Sequence, residues 1–129
     1  MMTEQQTLAF AEKFMTAIES GDMETVQGSY APDAKIWHNN DNAEQSVEQN
    51  LKVLAWFARK LPSRHYRVVR REALKDGFFQ QHVLEATLPD GTAWKMSACV
   101  IIRMQGGKIV RLDEYLDSAE AGALSVLGR

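Results

Sequence analysis

The chain has 129 residues, with 15 Lys and Arg against 17 Asp and Glu and a formal net charge of -2, so it lacks the basic excess of a nucleic-acid binder. Its single cysteine, Cys99, excludes an intramolecular disulfide and a cysteine-rich zinc site and is compatible with a reducing compartment. One domain is expected over residues 1 to 129, cytoplasmic and without a membrane partner: no segment approaches the ~20 apolar residues of a membrane span, and the N-terminal stretch carries acids early in place of a basic region and an apolar run.

Thr3 and Gln6 form a capping box, and Leu8, Ala11, Phe14, Met15 and Ile18 recur at helical spacing until Gly21, which predicts an amphipathic first helix. Asp22 caps a second, short helix carrying Met23, Val26 and Tyr30, which ends before Pro32. Ala34 to His38 is a short strand, and the polar stretch Asn39 to Ala43 is a loop. Ser46 with Gln49 is a second capping box, ahead of a stripe of Val47, Leu51, Leu54, Ala58 and Leu61 that stops at Pro62.

Beyond Pro62 the period changes to two. Strand-like runs cover Arg64 to Leu74, Phe78 to Leu88, Thr92 to Met104 and Lys108 to Leu116, divided by Asp76-Gly77, Pro89-Asp90-Gly91 and Gly106-Gly107. Turns this short join sequential antiparallel strands. Helices first and a meander afterwards make an α+β fold with helices covering one face of a curved sheet. No repeat, low-complexity tract or linker marks a second domain.

Strand parity selects the residues that face the helices. In the basic run from Arg64 to Arg71, Tyr66 and Val68 share one face while His65, Arg67 and Arg71 share the other, which describes a solvated strand rather than a nucleic-acid patch. In the next strand the more apolar row is Phe78, Gln80, His82, Leu84, Ala86 and Leu88, so Gln80 and His82 are expected to point inward. The row Trp94, Met96, Ala98, Val100, Ile102 and Met104 is expected to line the interior. In the last strand Glu114 joins Val110, Leu112 and Leu116 in an otherwise apolar row.

A carboxylate aimed into a core has to be paired, hydrogen-bonded or kept protonated, which is how general acids and bases are made; Glu114 could equally reach water at a strand end. His82 is the expected partner of Glu114, unless it is an inert core histidine. Trp37, His38 and Asn39 form a second cluster where strand gives way to loop, readable also as a core tryptophan and a polar turn. Tyr30, Trp56 and Trp94 complete the candidate contacts, although aromatic residues at helical spacing are often plain core. His38, His65 and His82 are too scattered for a metal site, and there is no phosphate-cradling glycine loop or nucleophile elbow, so neither metal nor cofactor is expected. Cys99 lies in a strand-like run without an activating neighbour.

The order of elements, together with YAPDAKIWHN (Tyr30 to Asn39) and GKIVRLDEYLD (Gly107 to Asp117), resembles the nuclear transport factor 2-like superfamily with its SnoaL-like polyketide cyclases, ketosteroid isomerases and limonene epoxide hydrolases. The resemblance implies a cone-shaped α+β barrel whose curved, mostly antiparallel sheet wraps the N-terminal helices around a deep apolar cavity. It also implies a homodimer through the outer sheet face, where Val83, Cys99 and Ile101 lie. Glu114 falls where the cyclases carry their catalytic Asp and the epoxide hydrolases an acid. The isomerase pattern would place its proton-abstracting Asp at about His38, and the hydrolase pattern its water-holding Tyr and Asn at about Trp37 and Asn39. Gln80 and His82 replace the Arg and Asp of the hydrolase triad, which speaks against epoxide hydrolysis, as His38 does against the isomerase mechanism.

The expected function is a cofactor-independent acid/base enzyme of isomerase, cyclase or hydrolase type, acting on a small apolar carbonyl or cyclic molecule. Glu114 and His82 would share the proton work, with His38 and Asn39 as further polar contacts. A binding module without chemistry is the first alternative. A dimeric structural domain whose cavity is filled by Phe78, Trp94, Met96 and Met104 is the second.

Overall fold

The computed structural model describes residues 2 to 128. Helix α1 (Glu4–Ser20) starts at the Thr3 capping box, in which Thr3 Oγ1 accepts from the Gln6 N–H and Gln6 Oε1 accepts from the Thr3 N–H. It ends where Gly21, at φ 80°, turns left-handed and donates back to Ala17 and Ile18. Ala11, Phe14, Met15 and Ile18 are buried along one stripe. Asp22 caps α2 (Met23–Ser29), and Ser46 with Gln49 caps α3 (Val47–Lys60).

Strand β1 (Tyr30–His38) begins four residues earlier than its apolar pattern suggests, and Tyr30 is extended rather than helical. Pro32 is tolerated inside it because the pairing with β6 is irregular between Tyr30 and Lys35, so no ladder bond calls on the missing N–H. The polar segment after β1 is not all loop: it turns back as β2 (Ala43–Gln45), an edge strand too short and polar to carry a periodic signal. The meander follows as β3 (His65–Leu74), β4 (Gly77–Thr87), β5 (Ala93–Gln105) and β6 (Lys108–Leu116). Gly77 is required at its turn, since a Cβ there would lie 1.9 Å from the Ile102 carbonyl oxygen. A short helix, α4 (Ser118–Gly122), and a 3-10 turn over Ala123–Leu127 complete the fold; neither has enough residues to show a period in the sequence.

The curved sheet runs β2-β1-β6-β5-β4-β3 and is not closed into a barrel. Strands β3 to β6 pair antiparallel in chain order, whereas β1 lies parallel to β6. The core fills the space between the helices and one sheet face, with Phe14, Ile36, Phe78, Ile102 and Ile109 essentially fully buried. Arg64 is buried where α1 and α3 end: its guanidinium donates to the carbonyls of Ile18, Ala58 and Leu61, satisfying the C-termini of both helices.

Two irregularities change which side chains face inward. The β5–β6 register slips between Arg103 and Met104, leaving Val110 without a partner, so Ile109 and not Val110 pairs with Met104 and is fully buried in the row of Leu112 and Glu114. The β3–β4 register slips between Val68 and Arg70, a bulge that leaves Val69 unpaired and reverses the parity beyond it. Arg71, expected on the solvated side, therefore pairs with Gln80 and turns inward, its side chain only 14% exposed. Among the described residues no helix is long and apolar enough to cross a membrane.

Candidate active site

The parallel pairing of β1 and β6 places His38 opposite Glu114, both on the inner face. His38 Nε2 lies 2.9 Å from Glu114 Oε1, and the two side chains are 15% and 17% exposed. They border a cavity of about 300 Å³ enclosed by the helices, the inner sheet face and the C-terminal segment. Most of its wall is apolar, from Phe14 and Met15 on α1, Leu54 and Phe57 on α3, and Met96 and Val100 on β5. The polar lining comes from Tyr30, Gln45, Asn50, Tyr66, His82 and the His38–Glu114 pair, with the exposed Asn40 and Asp41 beside His38.

Burial and charge set these groups apart. For His38, burial pulls the imidazole pKa down and is the largest single influence, but the hydrogen bond and charge of Glu114, joined by Asp41, outweigh it, and the pKa ends above its ordinary value. For His82, burial lowers the pKa and Arg71 adds to it, against the opposing charge of Glu114. Burial, with the Glu114 charge, pushes the Tyr30 and Tyr66 phenols well above the ordinary range, so both remain protonated.

The partner of Glu114 is thus His38, not His82. Parity places His82 and Glu114 on the inner face, but only the β1–β6 register, which no local pattern encodes, brings His38 opposite Glu114. His82 stands on β4, beyond β5, and its Nδ1 meets Gln80 Nε2 at 3.0 Å.

Of the residues singled out in the sequence, Tyr30, His38, Trp56, His82 and Glu114 border the cavity, whereas Trp37, Asn39, Gln80 and Trp94 do not. Trp37 follows strand parity to the outer face, where its ring packs edge-on against Tyr115 and its Nε1 donates to Asn42. Asn39 spends its amide on the Leu116 backbone, accepting from its N–H and donating to its carbonyl, and so stitches the end of β1 to β6. Gln80 is wholly buried behind the wall, held between Arg71 and His82. Trp94 is covered by the C-terminal segment and donates to the Glu120 carbonyl.

Other lining residues went unrecognised. Asn50 accepts from the Tyr30 hydroxyl at 3.2 Å and donates to Gln45. Its position three residues after Val47, on the apolar stripe of α3, was an available signal. Ala121 and Leu124 belong to the unanticipated C-terminal elements.

Helices packed on one face of a curved six-stranded sheet define a class of protein. Residues 11–112 match the SnoaL-like domain family, and the chain belongs to that family, on the nuclear transport factor 2-like fold. Among solved structures it is similar to AclR, a candidate hydroxylase from Streptomyces galilaeus, with 17% identity, a TM-score of 0.84 and coverage of 98% of this chain and 87% of that one. It is similar also to wild-type IdmH, a candidate polyketide cyclase from Streptomyces antibioticus, at 22% identity and TM-score 0.80, covering 91% and 99% of the two chains. PrhC from Penicillium brasilianum aligns at 14% identity and TM-score 0.85 over 98% of this chain and 89% of its own. At these identities the likeness is one of fold. No curated protein matches the chain significantly.

Proposed function

We propose that this protein is a cofactor-independent acid/base enzyme of cyclase or isomerase type, acting on a small, largely apolar carbonyl compound. The observation that carries this reading is the His38–Glu114 pair at the wall of an apolar cavity. His38 Nε2–H holds one carboxylate oxygen, while the other has no protein partner among the described residues and is free to take a proton from a carbon beside a carbonyl. The low-polarity wall strengthens any interaction with charge that develops on the substrate. The likeness to IdmH, a candidate polyketide cyclase, supports a polyketide-like substrate. A cavity of about 300 Å³ also weighs against a structural domain packed solid: of the four side chains expected to fill it, Met96 lines the wall and leaves that space open, while Phe78, Trp94 and Met104 lie outside the lining.

The protein is further read as a cytoplasmic homodimer formed through the outer sheet face, where Ile101 and Tyr115 are 40% and 50% exposed beside Val83 and Cys99.

The test is turnover, or deuterium uptake beside the carbonyl, across a panel of aromatic and polyketide-like ketones. Glu114→Gln is expected to lower the rate about 100- to 10,000-fold, the usual range for a general base. Full activity in that variant would remove Glu114 from the mechanism. Tight binding without turnover or exchange across the whole panel would favour a binding module.

A further inference from the structure

The bulge at Val69 brings Arg71 to the inner side of β3 and against Gln80. Arg71 Nε donates to Gln80 Oε1 at 2.7 Å, and its Nη1 donates to Glu12 on α1, also at 2.7 Å. A guanidinium only donates, so the Gln80 atom facing it has to be the oxygen, and the NH2 of the amide is turned the other way. There it lies 3.0 Å from Nδ1 of His82. An amide NH2 also only donates, so Nδ1 accepts, carries no proton, and leaves the ring hydrogen on Nε2.

We propose that Arg71 and Gln80 are positioning residues that hold His82 as its neutral Nε2–H tautomer, and that His82 thereby offers the cavity a hydrogen-bond donor for an acceptor oxygen of the ligand. The tautomer lock stands on the geometry of Arg71, Gln80 and His82 alone. The ligand half rests on the function proposed above and narrows its substrate to one whose oxygen lies diagonally across the sheet from Glu114, two strand spacings or roughly 10 Å over and two residues along, since His82 is in register with Leu116.

Three observations point the same way. Every buried side-chain nitrogen or oxygen among the described residues has a partner, yet Nε2 of His82 has none, so it faces the cavity that His82 lines. The Tyr66 ring stands edge-on to His82 with centroids 5.3 Å apart, and its hydroxyl is likewise without a partner among the described residues, which places a second neutral donor beside the first. Burial and the nearby Arg71 charge also keep the His82 ring neutral.

The arrangement divides the histidines by task. His38 serves the carboxylate that moves the proton, while His82 is turned by its neighbours into a donor and cannot act as a base through Nε2.

Long-range proton–nitrogen NMR of the wild-type protein at neutral pH tests the lock directly, with His82→Gln identifying the signal. The expected spectrum has Nδ1 of His82 as the unprotonated nitrogen and Nε2 as the protonated one. The reverse pattern, or an imidazolium, overturns the lock. In Gln80→Glu the new carboxylate can only accept and still pairs with Arg71, so hydrogen is expected to move to Nδ1; an unchanged tautomer in that variant also overturns it. For the ligand half the probes are 2-acetonaphthone and 2-ethylnaphthalene, two-ring compounds that differ in the carbonyl oxygen. The ketone is expected to bind about tenfold more tightly, the size of one neutral hydrogen bond, and to lose that margin in Gln80→Glu. Equal binding of the two probes to the wild type overturns the donor role. Absence of binding by either, with the Nε2–H tautomer observed, leaves the lock standing and counts against the carbonyl substrate.

Discussion

His38 and Glu114 are opposite partners in the one parallel strand pair of the sheet, and their 2.9 Å contact ties β1 to β6 from the inside. The raised pKa of His38 makes this contact pH-dependent: its contribution to stability is complete below the ordinary imidazole value of 6.5 and is lost as pH rises through the higher folded value. His82 has the opposite sign. Its folded pKa is lowered, so the unfolded chain takes up the proton first and stability falls as pH drops below 6.5. Urea unfolding at a series of pH values is expected to show a maximum near the ordinary histidine pKa. His38→Gln should flatten the alkaline side and His82→Gln the acid side; slopes unchanged in both variants would sink this account.

Asn39 lies outside the cavity but holds β6 in place through its two hydrogen bonds with Leu116. Asn39→Ala is expected to cost about 1–2 kcal/mol in unfolding free energy, from two part-buried hydrogen bonds. If Glu114 is the base, the same variant lowers kcat more than it raises KM. A variant as stable as the wild type would show that the stitch carries no energy.

Arg64 joins the C-termini of α1 and α3, and its charge lies where both helix dipoles are negative. Arg64→Met keeps most of the side-chain volume while removing every donor, and is expected to destabilise the fold by about 2–3 kcal/mol. Denaturant unfolding measures it, and a loss below about 0.5 kcal/mol, the range of an ordinary surface substitution, would contradict the role.

Ile101→Lys tests the outer sheet face. The substitution puts a charge at the centre of the proposed dimer contact while leaving the inner face untouched, because Ile101 points away from Ile102 and the core. Light scattering is expected to change from dimer to monomer at micromolar concentration. A wild-type protein already monomeric there would reject the dimer.

The parts of the fold that announce themselves in the sequence are local. Thr3 with Gln6, Ser46 with Gln49, and the glycine turns act within a few residues, and their side-chain chemistry is the same in an isolated segment as in the folded chain. Glu114 was visible because period two exposes a carboxylate in an apolar row. What escaped depends on contacts across long stretches of chain. The pairing of His38 with Glu114 needs the parallel β1–β6 register, and the inward turn of Arg71 needs a bulge that leaves no mark on a run of Arg and Val. Trp94 illustrates the limit from the other side: parity correctly buried it, but the segment after β6 that covers it has no periodicity to read.

Strand β6 follows every other strand in the chain yet occupies an interior place in the sheet, between β1 and β5. During synthesis, which proceeds from the N-terminus, the first five strands are complete before it emerges. Until it arrives, β1 and β5 each present an open edge of unpaired backbone groups, the kind of surface on which chains aggregate. Released chains truncated before Lys108 should therefore depend on chaperones in a way that chains extending past Leu116 do not, and the step that relieves this hazard also brings Glu114 to His38.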